Sequence, residues 1–155
     1  MASATDLPIR VKRLVEQAIL PVYAHPGDAG ADLALYHDVT LAPGERRLVG
    51  TGLALAIPRG YVGFVQPRSG LAARTGLTIV NTPGTVDADY RGEIKICLLN
   101  TDQSQPVQLK AGDRVAQLVI QAVEQGTFEW ADDLDSTVRG TAGYGSSGGV
   151  AAWQE

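Results

Sequence analysis

The sequence predicts a single all-β domain, a jelly-roll-like β-sandwich or barrel, and three observations carry that prediction. Short runs rich in Val, Ile and Leu recur at about ten-residue intervals, each bounded by Gly, Pro, Asn or Asp. The 155 residues include 18 Gly and 8 Pro, with Gly above its average share, so the chain turns often. Apart from a short stretch near residues 15–20, nothing reads as an amphipathic helix able to cover a sheet.

The elements follow in order. Residues 9–14 alternate weakly, as an edge strand does, before His25-Pro26-Gly27-Asp28 breaks the chain and residues 31–36 begin a second run. Pro43-Gly44-Glu45 turns into residues 47–49 and 53–57, and Pro58-Arg59-Gly60 turns into residues 61–66. Residues 69–75, where Leu71, Ala72 and Ala73 follow Ser-Gly, are the one place for a short helix. Later runs at 77–80, 94–100 and 114–123 carry the same β-branched, turn-bounded signature. From about Thr137 the composition becomes Gly- and Ser-rich without periodicity, so we expect a domain over residues 1–137 and a C-terminal tail over 138–155. That tail reads as a disordered end or as a lid.

Thirteen Lys and Arg against 17 Asp and Glu leave a net charge of −4, which lacks the basic footprint of a general nucleic-acid binder. Ten of the 13 cations are Arg, whose planar fork grips phosphate in pairs of hydrogen bonds, so a phosphorylated small molecule stays within reach. One cysteine, Cys97, excludes an intramolecular disulfide, and two histidines, His25 and His37, offer no zinc cage. No run approaches a membrane span and no secretory leader is visible, so the expectation is a soluble, cytoplasmic protein without a membrane partner.

Five segments could carry chemistry. Asp32 is a charge inside an apolar strand-like run and needs a cation or a water network. At Pro67-Arg68-Ser69-Gly70-Leu71 a strand ends where a short helix begins, gathering an Arg, a hydroxyl and free N–H groups as anion sites do; simple capping by Ser69 with Arg68 solvated is the plainer alternative. Residues 81–93 form a polar hairpin region with Asp87, Asp89 and Tyr90 close together. Hairpin backbones favour such residues anyway, yet Val86-Asp87 reads as a strand end, which would hold one carboxylate firmly enough to orient and deprotonate water. Gln117 shares a strand face with Val115 and Val119, and an amide there asks for a partner because burying it alone costs ~1–3 kcal/mol. In the tail, Gly143-Tyr144-Gly145-Ser146-Ser147-Gly148 fits the G-x-G-x-x-G pattern, but no strand, helix and second strand frame it as a dinucleotide site requires. The surviving reading is a glycine loop that closes over phosphates with Arg139 at its head.

In this order the five segments resemble the five motifs of the homotrimeric dUTP pyrophosphatase (dUTPase) family: Ala29-Gly30-Ala31-Asp32-Leu33, Pro67-Arg68-Ser69-Gly70-Leu71-Ala72, residues 84–93, Gly112-Asp113-Arg114-Val115-Ala116-Gln117-Leu118, and residues 139–148. The resemblance implies a jelly-roll trimer whose active sites are built from two subunits and closed by the tail of the third. It implies hydrolysis of dUTP to dUMP and pyrophosphate with Mg²⁺, keeping uracil out of DNA and supplying the precursor of dTMP.

By matching position, the resemblance makes Asp87 the general base for water attack on the α-phosphorus and sets Tyr90 under the deoxyribose. Asn81 with the backbone at Gly84 and Ile94 reads uracil, while Arg68, Ser69, Gly70 and Gln117 hold phosphates. Arg139 acts as an arginine finger, Tyr144 stacks on uracil, Gly145 and Ser146 wrap the γ-phosphate, and Asp32 meets Mg²⁺ through water. The tail departs from the family's usual Gly-Gly-Phe-Gly-Ser-Thr-Gly at Ala142, Tyr144 and Ser147, which keeps an aromatic face and a hydroxyl. Two alternatives stand beside this: a dCTP deaminase, with or without diphosphatase activity, and a trimer that binds nucleotide without turning it over.

Overall fold

The structure is a computed structural model and describes residues 7–143. The chain divides into two units at the Glu124/Gln125 boundary, and each is described by itself.

In the first unit β1 (Arg10–Arg13), β4 (Arg46–Ala56), β8 (Glu93–Asn100) and β6 (Leu77–Ile79) make one antiparallel sheet in the order β1-β4-β8-β6. A second runs β2-β10-β5-β7, from β2 (Gly30–Ala34), β10 (Arg114–Ala122), β5 (Tyr61–Pro67) and β7 (Gly84–Val86). β3 (Val39–Leu41) and β9 (Val107–Leu109) form a two-stranded ribbon. Inward residues of all three sheets share one apolar core, with Leu33, Leu35, Leu41, Ile96 and Leu98 almost wholly buried. This is the two-layer, jelly-roll-like all-β architecture expected from the turn-bounded runs.

The alternating runs become strands because period-2 side chains bury one face: β8 hides Ile94, Ile96, Leu98 and Asn100 and turns Lys95 outward. Asn100 is admitted to the core because its Nδ2 donates to the carbonyls of Leu41, Ala42 and Gln105. α1 (Ser69–Thr75) is the helix the sequence places there, ended by Gly76 in the left-handed region at φ 68°.

Three expectations are corrected. Residues 47–49 and 53–57 are not two runs: all but Ile57 belong to the single strand β4, whose register against β8 shifts between Gly50 and Ala54. Gly52 (φ 69°) lies in that shift, and Val15 and Ala18 pack against it so closely that a Cβ would clash. Residues 15–20 accordingly form a turn rather than a helix, with Ala18 N–H donating to the Val15 carbonyl. In β10, the shift between Arg114 and Ala116 lets Val115 and Ala116 both enter the core, so Val115 does not share the face of Gln117.

In the second unit, residues 125–143 carry neither helix nor strand. Phe128, Trp130, Leu134 and Val138 are exposed along it.

Candidate functional site

β2, β5 and β10 meet in register at one row: Gln117 stands opposite Asp32 on one side and Gln66 on the other. The Asp32 carboxylate is only 7% exposed, so burying its charge needs cations. Two supply it. Arg68 Nε lies 2.8 Å from Oδ1 and Arg114 Nη1 3.0 Å from Oδ2, while Arg68 Nη1 also donates to the Arg114 carbonyl at 3.1 Å. The need at Asp32 is thus met by a cation pair, and Arg68 is engaged by that carboxylate rather than standing free in solvent. Ser69 makes no side-chain cap either: Arg68 occupies the N-cap position and no side chain caps α1.

Gln117 Nε2 donates to the Pro67 carbonyl at 3.2 Å, the neighbouring-strand partner expected of such an amide. Its side chain lies over Gly30, where an added Cβ would collide with the amide oxygen, so glycine is required by a close approach. Around this row opens a cavity of about 720 Å³, lined among others by Asp28, Asp32, Arg68, Ser69, Gly70 and Gln117. A second cavity of about 600 Å³ lies across Arg68 and Arg114 and is bordered by Gln105, Gln108 and Asp113. The sequence reading missed Arg114 as Asp32's second partner, since only the β2/β10 register reveals it.

Asp87 and Tyr90 lie elsewhere. β7 ends at Val86, so Asp87 is the first residue beyond the strand, exposed, and its carbonyl accepts from Tyr90 N–H in a tight turn. Tyr90 Oη donates to the Glu93 carbonyl at 3.0 Å, and its ring covers Gly92, where any Cβ would clash. These residues line a concavity of about 330 Å³ with Leu48, Ile94 and Lys95. Ile94 is 2% exposed and its carbonyl accepts from Thr51 Oγ1. Asn81 and Gly84 line a smaller adjoining hollow of about 70 Å³, with Asn81 Nδ2 facing Gly84.

The two groups are distant on one chain. Val86 pairs with Gly63 on β5, and Arg68 lies five residues further along. At about 3.3 Å per residue that puts about 17 Å between the Asp87 end and the Arg68 end. The structure brings Asp32, Arg68, Ser69, Gly70 and Gln117 together, and Asp87, Tyr90 and Ile94 together, but not the two sets.

Arg139 belongs to the second unit, where its Nε donates to the Ala142 carbonyl at 2.9 Å across a turn in which Gly140 N–H meets Thr137 Oγ1. Tyr144, Gly145 and Ser146 lie outside the described residues.

Among the described residues no three His, Cys, Asp or Glu side chains stand together as a metal cage. The donor set of the 720 Å³ cavity, with Asp32 already between two guanidiniums, suits a hard cation that keeps its waters and is carried on a ligand's phosphates.

An all-β domain of two four-stranded sheets and a two-stranded ribbon, with an arginine-walled, partly glycine-lined cavity suited to an anionic ligand, is the class that fold and site define. The chain belongs to the dUTPase family, whose match covers residues 16–148. It is 60% identical over 147 residues to the deoxyuridine 5'-triphosphate nucleotidohydrolase of Thermobifida fusca, covering 95% of this chain and 82% of that one. It is 59% identical over 148 residues to the enzyme of the same name from Corynebacterium glutamicum, covering 95% and 99%. Among solved structures it resembles the Staphylococcus bacteriophage 80alpha dUTPase with dUPNHPP, with TM-score 0.84, 30% identity and coverage of 91% and 98%. It also resembles a mutant dUTPase from phage phi11 of S. aureus, described with a structural Mg(II) ion, with TM-score 0.76, 30% identity and coverage of 81% and 97%.

Proposed function

We propose that this chain hydrolyses dUTP to dUMP and pyrophosphate by attack of water on the α-phosphorus. The observation that carries the reading is membership of the dUTPase family across residues 16–148, a span that contains all five motif segments. The reaction keeps uracil out of DNA and supplies the dTMP precursor.

Asp87 is the general base: its carboxylate is exposed and makes no ion pair or hydrogen bond among the described residues, so it is free to take a proton from water. Tyr90, held by the Glu93 carbonyl and by Gly92, offers a fixed ring face for the deoxyribose that leaves no room for a 2′-hydroxyl. Asn81 and the backbone at Gly84 and Ile94 read the uracil edge. Arg68, Ser69, Gly70 and Gln117 hold phosphates, with Arg68 aimed by Asp32. Residues 138–155 close the site: Arg139 supplies a positive charge to the transition state, Tyr144 stacks on uracil, and Gly145 and Ser146 wrap the γ-phosphate. Asp32 would hold Mg²⁺ through water alongside the substrate phosphates, and the ion would supply neutralisation of the phosphate charge.

The separation of about 17 Å along β5 between the Asp87 end and the phosphate cavity supports sites shared between chains, since a base and a phosphate clamp must act on the same nucleotide, and we take the assembly to be the homotrimer typical of the family. No helix among the described residues is long and apolar enough to cross a membrane, and we place the enzyme in the cytoplasm.

The test is pyrophosphate release with Mg²⁺ from dUTP, dCTP, UTP and dTTP, with ammonia followed in the dCTP reaction. We expect release from dUTP alone. Ammonia from dCTP would move the chain to the deaminase branch, and binding of dUTP without turnover would make it a nucleotide-binding protein.

A further inference from the structure

Glu93, the first residue of β8, lines the concavity shared by Asp87 and Tyr90, and the proposed reaction gives its side chain no task. β4 pairs Gly50 with Lys95 and Ala54 with Glu93, so Thr51, Gly52 and Leu53 all face the single residue Ile94. Such a bulge leaves backbone groups without ladder partners, and each needs one. Thr51 Oγ1 donates to the Ile94 carbonyl at 2.8 Å and accepts from Leu53 N–H at 3.3 Å. Gly52 N–H donates to Glu93 Oε1 at 2.9 Å.

The carboxylate lies over Gly50, where an added Cβ would collide with Oε1, and Gly50 has no positive φ that would itself call for glycine. Oε2 lies 3.8 Å from Nζ of a half-exposed Lys95, a pairing that adds little. The main chain of the same residue holds Tyr90, since the Glu93 carbonyl accepts from Tyr90 Oη at 3.0 Å. Glu93 therefore joins the β4 bulge to the Tyr90 ring, with its side chain on one and its carbonyl on the other.

We propose that Glu93 is a positioning residue that fixes the Tyr90 ring through the β4 bulge and so sets the preference for deoxyribose over ribose. The proposal rests on the dUTP-hydrolysing function above, in which Tyr90 faces the sugar. A purely structural Glu93 would affect stability and slow both sugars alike. A positioning Glu93 acts on their ratio, because rejection of a 2′-hydroxyl depends on where the ring stands.

The experiment compares wild type, Glu93→Ala, Glu93→Gln and Gly50→Ala in kcat/KM for dUTP and for UTP, with urea unfolding alongside. Glu93→Ala is expected to lower the dUTP/UTP ratio about tenfold, as for loss of one hydrogen bond to a charged group. Glu93→Gln keeps an oxygen for the Gly52 N–H and should hold the ratio within about twofold of wild type. Gly50→Ala, which displaces the carboxylate without removing it, should reproduce the Glu93→Ala loss, and it decides if Glu93→Ala does not fold. In a Tyr90→Phe background, without the hydroxyl that meets Glu93, the Glu93→Ala effect on the ratio should disappear. An unchanged ratio in the folded variants, or a Glu93→Ala effect undiminished by Tyr90→Phe, would overturn the proposal. A wild-type protein that releases no pyrophosphate from dUTP would overturn the function instead; Glu93 would then be judged by the Tyr90 ring resonances in NMR, which Glu93→Ala must shift and Glu93→Gln must not.

Discussion

The Asp32 cavity and the Asp87 edge are built in opposite ways. Around Asp32, the charged groups Arg68, Arg114 and Asp28 all have partners inside the fold, and β2, β10 and the β5–α1 junction hold the geometry before any ligand arrives. Asp87 stands just past the end of β7 with an uncommitted carboxylate, beside a Tyr90 that is 47% exposed. In the proposed reaction, the groups assigned to grip a constant charge are locked into the sheet, whereas the group assigned to exchange a proton with water is left facing solvent. Rigidity is concentrated where position matters, and openness where protonation must change.

The comparison breaks most visibly at Asp87. Asp87→Asn is expected to lower kcat about 10²–10⁴-fold, while an exposed, near-isosteric change moves stability by less than about 0.5 kcal/mol. Steady-state kinetics alongside urea unfolding separates the two, and undiminished turnover would remove Asp87 from its role. Asp32→Asn should weigh on stability where Asp87→Asn does not, destabilising the fold because two guanidiniums lose their counter-charge. Breaking a buried pair costs about 3–5 kcal/mol, but Arg68 and Arg114 are 33% and 52% exposed, so a loss of about 1–3 kcal/mol is expected from the urea midpoint.

The smallest effect belongs to a pair outside both sites. A hydrogen bond from Lys110 and then one from Ala111 N–H hold the Asp38 carboxyl below its ordinary 3.8, and Asp38 in turn raises Lys110 above 10.5. A depressed carboxyl stabilises the fold above its unfolded value and ceases to do so as pH falls through the folded one. Asp38→Asn should therefore shift the urea midpoint slightly downward near neutral pH, and the difference from wild type should vanish well below pH 3.8. A difference that persists in acid would mean that packing, and not charge, links the two residues.

Much of this was legible in the sequence, for identifiable reasons. β5, β8 and β10 are long enough to show their period, and α1 is bounded by Pro67 and Gly76, a strand-end breaker and a helix C-terminal glycine. β3 and β9 escaped because three residues between turns show no period, and the continuity of β4 was hidden by Gly50 and Gly52. The candidate residues were visible as residue types, but not their pairing. That Asp32 takes Arg114 as well as Arg68 depends on a strand register spanning 82 positions, which local sequence does not encode.

The Asp32 node also has an evolutionary consequence. One carboxylate binds guanidiniums from two separate stretches of chain, so losing any of the three leaves buried or half-buried charge behind. A lineage drifting away from this arrangement must change Asp32, Arg68 and Arg114 together or pass through a destabilised intermediate. The three positions are expected to vary as a unit, while the exposed residues around them diverge freely.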